Sequence, residues 1–397
     1  MSGPGTAVVS GRGARRARRG HPWIHREDVR AADAAAGEIV RVLDASGAPC
    51  GWAAYSPVSR IALRIVRRGG AAGDAPPAEA FWTARLERAV AARGPSAPAG
   101  PGCARLLHAD ADGFPGLTVD RYGTHLVAQR TTAWADRQGG PLLERLAARV
   151  GAASVLARDD APGREAEGLP REVTQLLGAT PPLIEVEAGG AWRRVDPWHG
   201  HKTGLYLDQQ ENQRRAAGWF GEGPVLDAFC SEGGFSLPLA AAGRPVVAVD
   251  QSLPGLERAL AAAEAAGLDD RIEFIHGNVF DFLAEAEAEG RRFPAIVLDP
   301  PPFSRRRSAA AGAARGYRDL HRRALRCLAP GGRMATFCCT ATVGAEEFEA
   351  MVREGAEEAA AALTVLARLG PASDHPERIE LPESRYLKGL LLQRDAD

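Results

Sequence analysis

Residues 225–250 read VLDAFCSEGGFSLPLAAAGRPVVAVD, and this stretch decides the fold. A short apolar run leads to a turn at Gly233 and Gly234, a helix of small residues follows, and a second apolar run ends at Asp250. Such a β-turn-α-β unit, with an acidic residue about 20 positions beyond the first strand, is typical of parallel sheets that bind a nucleoside. The sequence therefore predicts an α/β fold with a Rossmann-like sheet.

The turn of this unit predicts a bound nucleoside and gives only a weak signal for its identity. It lacks the GxGxxG pattern that lets backbone amides surround a pyrophosphate, and Asp227 lies just before it. Glycine at position 233 lets the backbone approach a ligand, and the carboxylate of Asp250 can accept hydrogen bonds from both ribose hydroxyls. S-Adenosylmethionine has no phosphate, so we favour it over NAD as the cofactor. An ordinary βαβ unit without a ligand is the alternative.

The composition indicates a protein of more than one domain. A length of 397 residues exceeds what one hydrophobic core usually supports, and 45% hydrophobic with 25% charged residues is typical of a globular chain. No apolar run reaches the length of a bilayer span, and the arginine-rich start lacks the apolar segment of a secretion signal. We therefore expect a cytoplasmic protein. Its six cysteines include no CxxC pair, so we expect reduced thiols.

The start of the chain is typical of RNA-binding proteins. Four predicted RNA-binding arginines lie in the run GRGARRARRG: Arg15, Arg16, Arg18 and Arg19. Cationic side chains bind phosphates and the indole of Trp23 can stack on a base, although a frayed, solvated terminus would have the same composition. Because residues 37–66 alternate in the manner of strands, the sequence predicts a small β-barrel with a basic edge over residues 1–72.

Two further domains follow this barrel. The stretch from Arg68 to Ala80 is rich in Gly, Ala and Pro and predicts a linker, and a helix follows at roughly 80–93. We expect a small α/β middle domain over residues 78–195 and the nucleoside-binding domain over residues 196–397. No metal is predicted. Acidic residues in turns such as DADG commonly bind the local backbone, which applies to Asp110, Asp112 and Asp120. The pair His199 and His201 has no further cysteine or acidic ligand nearby.

The later strands of the third domain end in polar residues, which should meet at the carboxyl edge of the sheet. RIEFIHGNVFDFL predicts a strand followed by Asn278, which can accept a hydrogen bond from an adenine amino group or cap a helix. VLDPPPF leaves Asp299 at a strand tip, and its prolines stiffen a loop in which Phe303 can contact a flat base. GGRMATFCCTA ends at Cys338 and Cys339, only one of which can point into the cleft.

These motifs resemble the RlmI type of bacterial 23S rRNA cytosine-C5 methyltransferases. The resemblance covers nearly the whole chain, from RRGHPWIH and GWAAYSPVSRIALRI through DGFPGLTVDRYG to GHKTGLYLDQQ, DAFCSEGGF, VLDPPPF, TFCCT, SDHP and YLKG. It implies an N-terminal β-barrel PUA domain, a small α/β middle domain and a C-terminal class I methyltransferase domain that uses S-adenosylmethionine.

The resemblance also implies the roles of individual residues. Cys339 would be the catalytic nucleophile, with Asp299 as the second catalytic residue, and Phe303 would contact RNA together with the basic first domain. The residues expected around the cofactor are Asp208, Gln209, Asp227, Phe229, Gly233, Asp250, Asn278 and Asp299. From pattern alone, the first two of these could equally cap a helix. The expected partner is 23S rRNA or a large-subunit assembly intermediate, with no membrane, and a homodimer is allowed.

The chain departs from the family pattern at three places. Pro302 replaces a lysine, Ser231 and Glu232 replace a tyrosine and a threonine, and Cys338 stands where serine is usual. The Glu232 carboxylate would repel the carboxylate of the methionine moiety unless it points away or pairs with an amino group. We expect these differences to affect the choice of nucleotide more than the reaction.

The predicted reaction is methylation of cytosine C5 in large-subunit rRNA through a covalent bond between Cys339 and C6. Two alternatives remain open. DPPPF also resembles the motif with which other enzymes methylate an exocyclic amine or a purine ring nitrogen without a thiol. A non-catalytic RNA-binding factor would use the basic first domain and hold the cofactor only structurally.

Overall fold

The structure, a computed structural model, describes residues 4–70, 74–94, 100–303 and 310–396. The chain divides into two compact units. The first unit comprises Met1–Val186, Val195–Leu207 and Ser373–Ser384, and the second comprises Glu187–Arg194, Asp208–Ala372 and Arg385–Asp397. Among the helices of the described residues, none combines the length and the apolar character needed to cross a bilayer.

The first unit begins with a barrel-like sheet. Its elements are β1 (Thr6–Val9), α1 (Gly11–Arg18), β2 (Trp23–His25), β3 (Val29–Asp33), β4 (Ile39–Leu43), β5 (Pro49–Tyr55) and β6 (Ile61–Arg68). Over residues 4–70 the six strands pair in the order β2-β6-β5-β4-β1-β3. Alternate residues such as Ile24, Val40 and Leu63 are fully buried and form the core of this sheet.

The basic run forms the helix α1, not the basic edge of the barrel that the sequence analysis predicted. Ser10 caps the helix by accepting a hydrogen bond from the Gly13 amide at 3.1 Å. Gly13, Ala14 and Ala17 are buried under the helix, while its arginines lie on the other faces. Alanine and arginine both favour helices, and the spacing of the small residues gives one side that packs on the sheet.

The rest of the first unit is built around a second sheet. Its elements are α2 (Glu79–Arg93), β7 (Cys103–His108), α3 (Ala109–Asp112), β8 (Leu117–Tyr122), β9 (His125–Arg130), α4 (Ala133–Val150), β10 (Ser154–Asp159) and β11 (Glu172–Leu177). The strand order is β11-β10-β9-β8-β7, and α2 agrees with the helix predicted at 80–93. Trp82 of α2 packs against Trp134, and buried Trp52 of β5 belongs to the same hydrophobic cluster. The division into three domains stays a prediction.

A hairpin of β12 (Ile184–Ala188) and β13 (Ala191–Val195) precedes the main part of the second unit. The elements that follow are α5 (Gln210–Trp219), β14 (Val225–Ala228), α6 (Ser236–Ala241), β15 (Val246–Asp250), α7 (Leu253–Ala266), β16 (Ile272–His276), α8 (Val279–Ala288), β17 (Phe293–Leu298), α9 (Ala310–Cys327), β18 (Leu328–Cys338), α10 (Ala345–Glu358), β19 (Leu363–Leu369) and β20 (Lys388–Arg394). In the described residues the strands pair in the order β16-β15-β14-β17-β18-β20-β19.

This sheet is parallel from β16 to β18, and β20 runs antiparallel to both of its neighbours. Both of its faces are covered, because Leu226 and Ile296 enter one hydrophobic cluster while Val225 and Val297 enter another. Strands buried on both faces read as continuous apolar runs, and such runs marked these segments in the sequence. The predicted α/β fold is therefore confirmed.

Candidate active site at the carboxyl edge of the parallel sheet

The central strands bring three of the predicted site residues to one edge. Ala228, at the end of β14, lies opposite Val249 of β15 and Leu298 of β17. The residues that follow these positions, Phe229, Asp250 and Asp299, therefore share the carboxyl edge of the sheet. In open α/β sheets this edge, near the point where the strand order reverses, is where ligands bind.

The turn after β14 has an unusual backbone. Phe229, Ser231 and Gly233 have positive φ angles of 68°, 50° and 73°, a region in which residues other than glycine are uncommon. A Cβ at Gly234 would lie 2.7 Å from the side-chain nitrogen Nε2 of Gln213, so that side chain would have to shift to accept a larger residue there. The backbone amide of Ser231, in the same turn, points toward Asp250.

Asp250 holds this turn in place. Its carboxylate accepts hydrogen bonds from the backbone amides of Ser231, at 2.9 Å, and of Ser252, at 2.7 Å. The side chain of Ser252 in turn caps helix α7. Each carboxylate oxygen retains a second lone pair. The carboxylate is thus fixed in orientation while it keeps the capacity to accept hydrogen bonds from a ligand.

Asp227 is a buried carboxyl at the centre of the edge. The side chain of Ser236 donates to its Oδ2 at 2.6 Å, whereas Oδ1 is buried and has no hydrogen-bond partner among the described residues. Burial raises the pKa of Asp227 to about 6, and the hydrogen bonds from Ser236 act against this shift. A buried acceptor without a partner is costly, so it marks a place where a ligand would supply a donor.

Asp208 and Gln209 lie directly before helix α5. Asp208 is buried and accepts a hydrogen bond from the hydroxyl of Tyr386 at 2.6 Å. Gln209 occupies the cap position of α5, but its side chain makes no capping hydrogen bond. Its Oε1 accepts from Asn212 at 2.7 Å, while its Nε2 is buried without a partner among the described residues. The side chain of Gln209 therefore does not cap α5, and a contact of Asp208 and Gln209 with the cofactor stays a prediction.

Asn278 caps helix α8. Its side-chain oxygen accepts a hydrogen bond from the amide of Phe280 at 2.8 Å. Asn278 therefore caps the helix as one of the two expectations had it, and a contact of Asn278 with adenine stays a prediction.

Glu232 is neutralised within the turn. Arg258 of helix α7 pairs with its carboxylate at 2.9 Å, and Arg193 donates a hydrogen bond to its backbone carbonyl at 2.7 Å. The repulsion that the sequence analysis considered is offset by this pairing. No sequence pattern revealed the pair, because its two members lie on different elements.

The two adjacent cysteines have different surroundings. Cys338 ends β18 and is fully buried, whereas Cys339 is partly exposed. The sulfur of Cys339 lies 3.8 Å from the carbonyl oxygen of Pro300, which directly follows Asp299. The structure thus brings Cys339 next to the tip of β17. Asp299 is itself partly exposed.

Phe303 lies at the end of the proline-rich loop. Its ring is packed against Tyr317, with a centroid distance of 4.6 Å, and lies 6.1 Å from the ring of Phe280. Phe303 as a whole residue is partly buried. Pro302, which replaces the lysine of the family pattern, is exposed.

The predicted RNA-binding arginines of α1 fall into two classes. Arg16 pairs with Glu383 at 3.7 Å and Arg18 with Asp44 at 2.5 Å. Arg15 and Arg19 are exposed and form no ion pair within the described residues. Trp23, in β2, is half buried, with its ring 5.9 Å from that of His21.

No group of three or more potential metal ligands occurs in the described part of the chain. The aspartates considered in the sequence analysis have cationic partners. Asp110 lies 3.6 Å from Arg64, Asp112 pairs with Arg93, and Asp120 pairs with Arg105 at 2.7 Å.

Sequence reasoning missed several residues of this site. They are Ser236, Arg258, Tyr317, Tyr386 and Lys388. The last two belong to the motif YLKG, and Lys388 carried a signal of its own, because it is one of only two lysines among the 49 basic residues of the chain.

Comparison with known proteins adds two family matches. The PUA-like domain family matches residues 8–68, and the RNA cap guanine-N2 methyltransferase family matches residues 223–303. The second match covers β14 to β17 and the VLDPPPF segment.

Two relatives extend along almost the whole chain. Ribosomal RNA large subunit methyltransferase I of Photobacterium profundum is 36% identical, over 94% of this chain and 95% of its own length. The protein of the same name from Vibrio cholerae is 34% identical and covers 98% of both chains. Among solved structures, a Streptococcus mutans protein described as a SAM-dependent methyltransferase superposes with a TM-score of 0.80 at 19% identity, covering 98% of this chain and 99% of that one. A structure described as a methyltransferase complexed with SAH has the same score.

Proposed function

Since the chain belongs to the family of ribosomal RNA large subunit methyltransferase I, we propose that it is a methyltransferase that modifies large-subunit rRNA with S-adenosylmethionine. We further propose that the methyl group goes to C5 of a cytosine. The observation that carries this proposal is the position of Cys339, a partly exposed residue whose sulfur lies 3.8 Å from the carbonyl oxygen of Pro300, in the loop that begins at Asp299.

The residues at the edge of the sheet fit the cofactor. Asp227 offers a buried acceptor and Gln209 a buried donor, and neither atom has a partner among the described residues. Asp250 would accept hydrogen bonds from the ribose hydroxyls while the amides of Ser231 and Ser252 hold its carboxylate. When bound, S-adenosylmethionine supplies an electrophilic methyl group on a sulfonium. The turn at Gly233 would line the same site.

The thiol chemistry follows from the weak nucleophilicity of cytosine C5. The thiolate of Cys339 would attack C6, forming an S–C6 bond and shifting the electrons of the C5–C6 double bond toward C5. C5 would then take the methyl group, whose bond to the cofactor sulfur breaks and leaves that sulfur as a neutral thioether. A base takes the C5 proton, and the electrons of that C–H bond restore the double bond as the S–C6 bond breaks. The thiolate of Cys339 is regenerated when the S–C6 bond breaks.

Asp299 and Phe303 would position the base. The Asp299 carboxylate, at the tip of β17, would hold the N3/N4 edge of the cytosine and favour the charged state of the ring. The ring of Phe303, a partly buried residue, would stack on a base that has left its helix. The basic helix α1 and the PUA-like segment would bind the RNA backbone, since phosphate contacts supply affinity without sequence information.

A second candidate reaction is methylation of an exocyclic amine or a ring nitrogen of a purine. The match of residues 223–303 to the RNA cap guanine-N2 methyltransferase family favours it, because that segment contains VLDPPPF. In this reaction Asp299 and neighbouring backbone carbonyls would bind the amine, and Cys339 would have no chemical role.

Mapping of the methyl group separates the two reactions. Ribosomal RNA from cells with and without the gene would be compared by bisulfite sequencing, which reports 5-methylcytosine, and by mass spectrometry of nucleosides. Loss of one 5-methylcytosine supports the cytosine reaction. Loss of a methylated purine with unchanged 5-methylcytosine supports the second, and unchanged nucleosides of both kinds would contradict both proposals.

Three further features belong to this proposal. The protein would act in the cytoplasm, its substrate would be 23S rRNA either free or within a large-subunit assembly intermediate, and a homodimer is allowed. Methyl transfer from labelled cofactor to naked rRNA, compared with transfer to isolated precursor particles, would identify the preferred form.

A further inference from the structure

A buried lysine lies beside the proposed nucleophile. Lys388 begins β20, directly opposite Cys338 of β18 in the antiparallel pairing. It is only 8% exposed. Its ammonium group donates hydrogen bonds to the carbonyl oxygens of Thr340, at 2.9 Å, and Tyr386, at 2.8 Å. Burial of a cation is costly unless its surroundings compensate for the lost hydration, so the position needs an explanation.

Lys388 fixes the backbone immediately after Cys339. Its hydrogen bond to the Thr340 carbonyl holds one side of that residue, and the hydroxyl groups of Thr340 and Tyr317 lie within hydrogen-bonding distance, at 3.2 Å, on the other. Thr340 is almost fully buried. The residue that follows the partly exposed cysteine is therefore held from β20 and from α9, which restricts where the Cys339 sulfur can lie.

The same ammonium group brings a positive charge to the backbone that directly follows Cys339. Both of its hydrogen bonds go to neutral carbonyls, and no carboxylate lies within ion-pair distance of it in the described part of the chain. Burial lowers the pKa of Lys388, and the charges of Cys338, Cys339 and Glu347 act against this shift. The titratable groups near Cys339 come from five elements, and among the described ones Lys388 is the cation. They are Cys338 of β18, Tyr317 of α9, Glu347 of α10, Asp299 at the tip of β17 and Lys388 of β20.

We propose that Lys388 is a positioning residue that holds the Cys339–Thr340 backbone and stabilises the thiolate of Cys339. On ionisation the thiol proton leaves to solvent, and no proton is gained or lost by Lys388. The role rests on the proposed function only in that the thiolate is the attacking species. A cation next to a thiol favours its thiolate form, as known for reactive cysteines.

The composition of the chain strengthens this assignment. Of 49 basic residues only Lys202 and Lys388 are lysines, so arginine fills nearly every other cationic position. An ammonium is a compact charge whose three donors can bind two carbonyls in a small space, whereas a guanidinium is planar and larger. Lysine at position 388 therefore matches a geometric need that arginine does not meet.

The test is the pH dependence of alkylation at Cys339, measured without RNA or cofactor. Protein is treated briefly with iodoacetamide between pH 5 and 10, and the modified fraction of the Cys339 peptide is quantified by mass spectrometry. In the unaltered protein we expect the midpoint of the profile to lie below the ordinary thiol value of about 8.5. A midpoint at or above that value would overturn the proposal, and this measurement needs no variant.

Variants then identify the cation. Lys388→Gln keeps a hydrogen-bond donor but removes the charge, and Lys388→Met removes both. We expect Lys388→Gln to raise the midpoint by about one pH unit, which is a tenfold loss of thiolate near neutral pH. Lys202→Met, which removes the other lysine, should leave the midpoint unchanged. An unshifted midpoint in folded Lys388→Gln, or an equal shift in Lys202→Met, would contradict the role of Lys388.

The two variants at position 388 separate charge from position. If positioning contributes as well, Lys388→Met should lower the alkylation rate at high pH, where the thiol is fully ionised, while Lys388→Gln should retain it. Equal high-pH rates in both variants would remove the positioning part. Because neither experiment uses RNA, their outcome is independent of the methyl mapping that tests the proposed function.

Discussion

The basic helix α1 and the carboxyl edge of the parallel sheet are both rich in charged groups, but they use charge differently. On α1 the arginines are exposed except for the half-buried Arg16, and Arg16 and Arg18 already pair with carboxylates. At the sheet edge, Asp227 and Lys388 are buried, and Asp250 is fixed by two backbone amides. Solvent and salt screen surface charges, so one can largely replace another, whereas a buried charged group interacts with particular neighbouring atoms. Single substitutions should therefore have large effects at the edge and small ones on the helix.

The largest effect is expected at Cys339. Replacing it with serine removes the thiolate but keeps the size of the side chain, so methyl transfer to rRNA should fall at least about 1,000-fold. Binding of S-adenosylmethionine should change by less than about twofold, because no cofactor contact is assigned to the sulfur. Transfer of a labelled methyl group and isothermal titration calorimetry measure the two quantities.

Cys338→Ser is the matched control for this substitution. Cys338 is buried, and serine is the usual residue of the family pattern there, so the variant should keep most of its activity. The covalent scheme is wrong if Cys339→Ser retains full activity, and it is also wrong if the loss occurs at Cys338 instead. In either case the amine reaction, which needs no thiol, would gain support.

The next largest effect is expected at Asp250. In Asp250→Asn, an NH2 group replaces one of the two oxygens that accept from Ser231 and Ser252, so a donor would face a donor. Hydrogen bonds to a charged group contribute about 1.5–3 kcal/mol, so cofactor affinity should fall about 10- to 100-fold. Asp270→Asn, at an exposed position in the turn before β16, is the control, and it should bind the cofactor normally. Equal affinities of the two variants would exclude Asp250 from the site.

The sequence predicted those features of the sheet edge that depend on local patterns. The apolar runs and the glycine turn predicted β14, α6 and β15, and the prolines predicted the end of β17. The pairing of Lys388 with the Cys338 region joins segments about fifty residues apart, and Glu232 finds Arg258 on another helix. Such contacts depend on strand order and helix packing, which no local pattern encodes.

The basic run differs from the predicted barrel edge for a different reason. Its composition of alanine and arginine favours a helix, and the arginines therefore lie on α1. The spacing of Gly13, Ala14 and Ala17 was the signal for the buried side of α1. That spacing also determines which arginines remain available for RNA.

A smaller effect is expected at Asp227, and it concerns stability. Burial raises the pKa of this carboxyl from 3.8 to about 6 in the folded protein. Asp227 therefore binds a proton more readily in the folded protein than in the unfolded chain. This proton binding stabilises the folded protein fully below pH 3.8, and the stabilisation is lost as the pH rises through about 6. At pH 8 the ionised group should cost about 3 kcal/mol, since one pKa unit corresponds to about 1.4 kcal/mol.

Asp227→Asn removes this cost, because an amide has no charge and can still accept from Ser236. Without cofactor, the variant should melt a few degrees above the unaltered protein at pH 8, and the difference should shrink toward pH 4. Thermal unfolding followed by circular dichroism measures both. A difference that does not depend on pH would show that ionisation of Asp227 is not its cause.

The smallest effects are expected on α1. Arg15 and Arg19 are exposed and form no ion pair within the described residues, so we expect them to contact phosphates. The double variant Arg15→Gln/Arg19→Gln should weaken rRNA binding about three- to tenfold. Each lost phosphate contact should also reduce the slope of log affinity against log salt by about 0.7 to 0.9.

The control is Arg12→Gln/Arg18→Gln, which removes the same amount of charge from the same helix. These arginines already pair with Glu27, Asp28 and Asp44, so the salt slope should change less. Equal slopes for both double variants would mean that only the total charge of α1 matters. A larger reduction of the salt slope in Arg15→Gln/Arg19→Gln than in the control would instead show that particular positions on the helix bind RNA, as particular positions at the sheet edge bind their ligand.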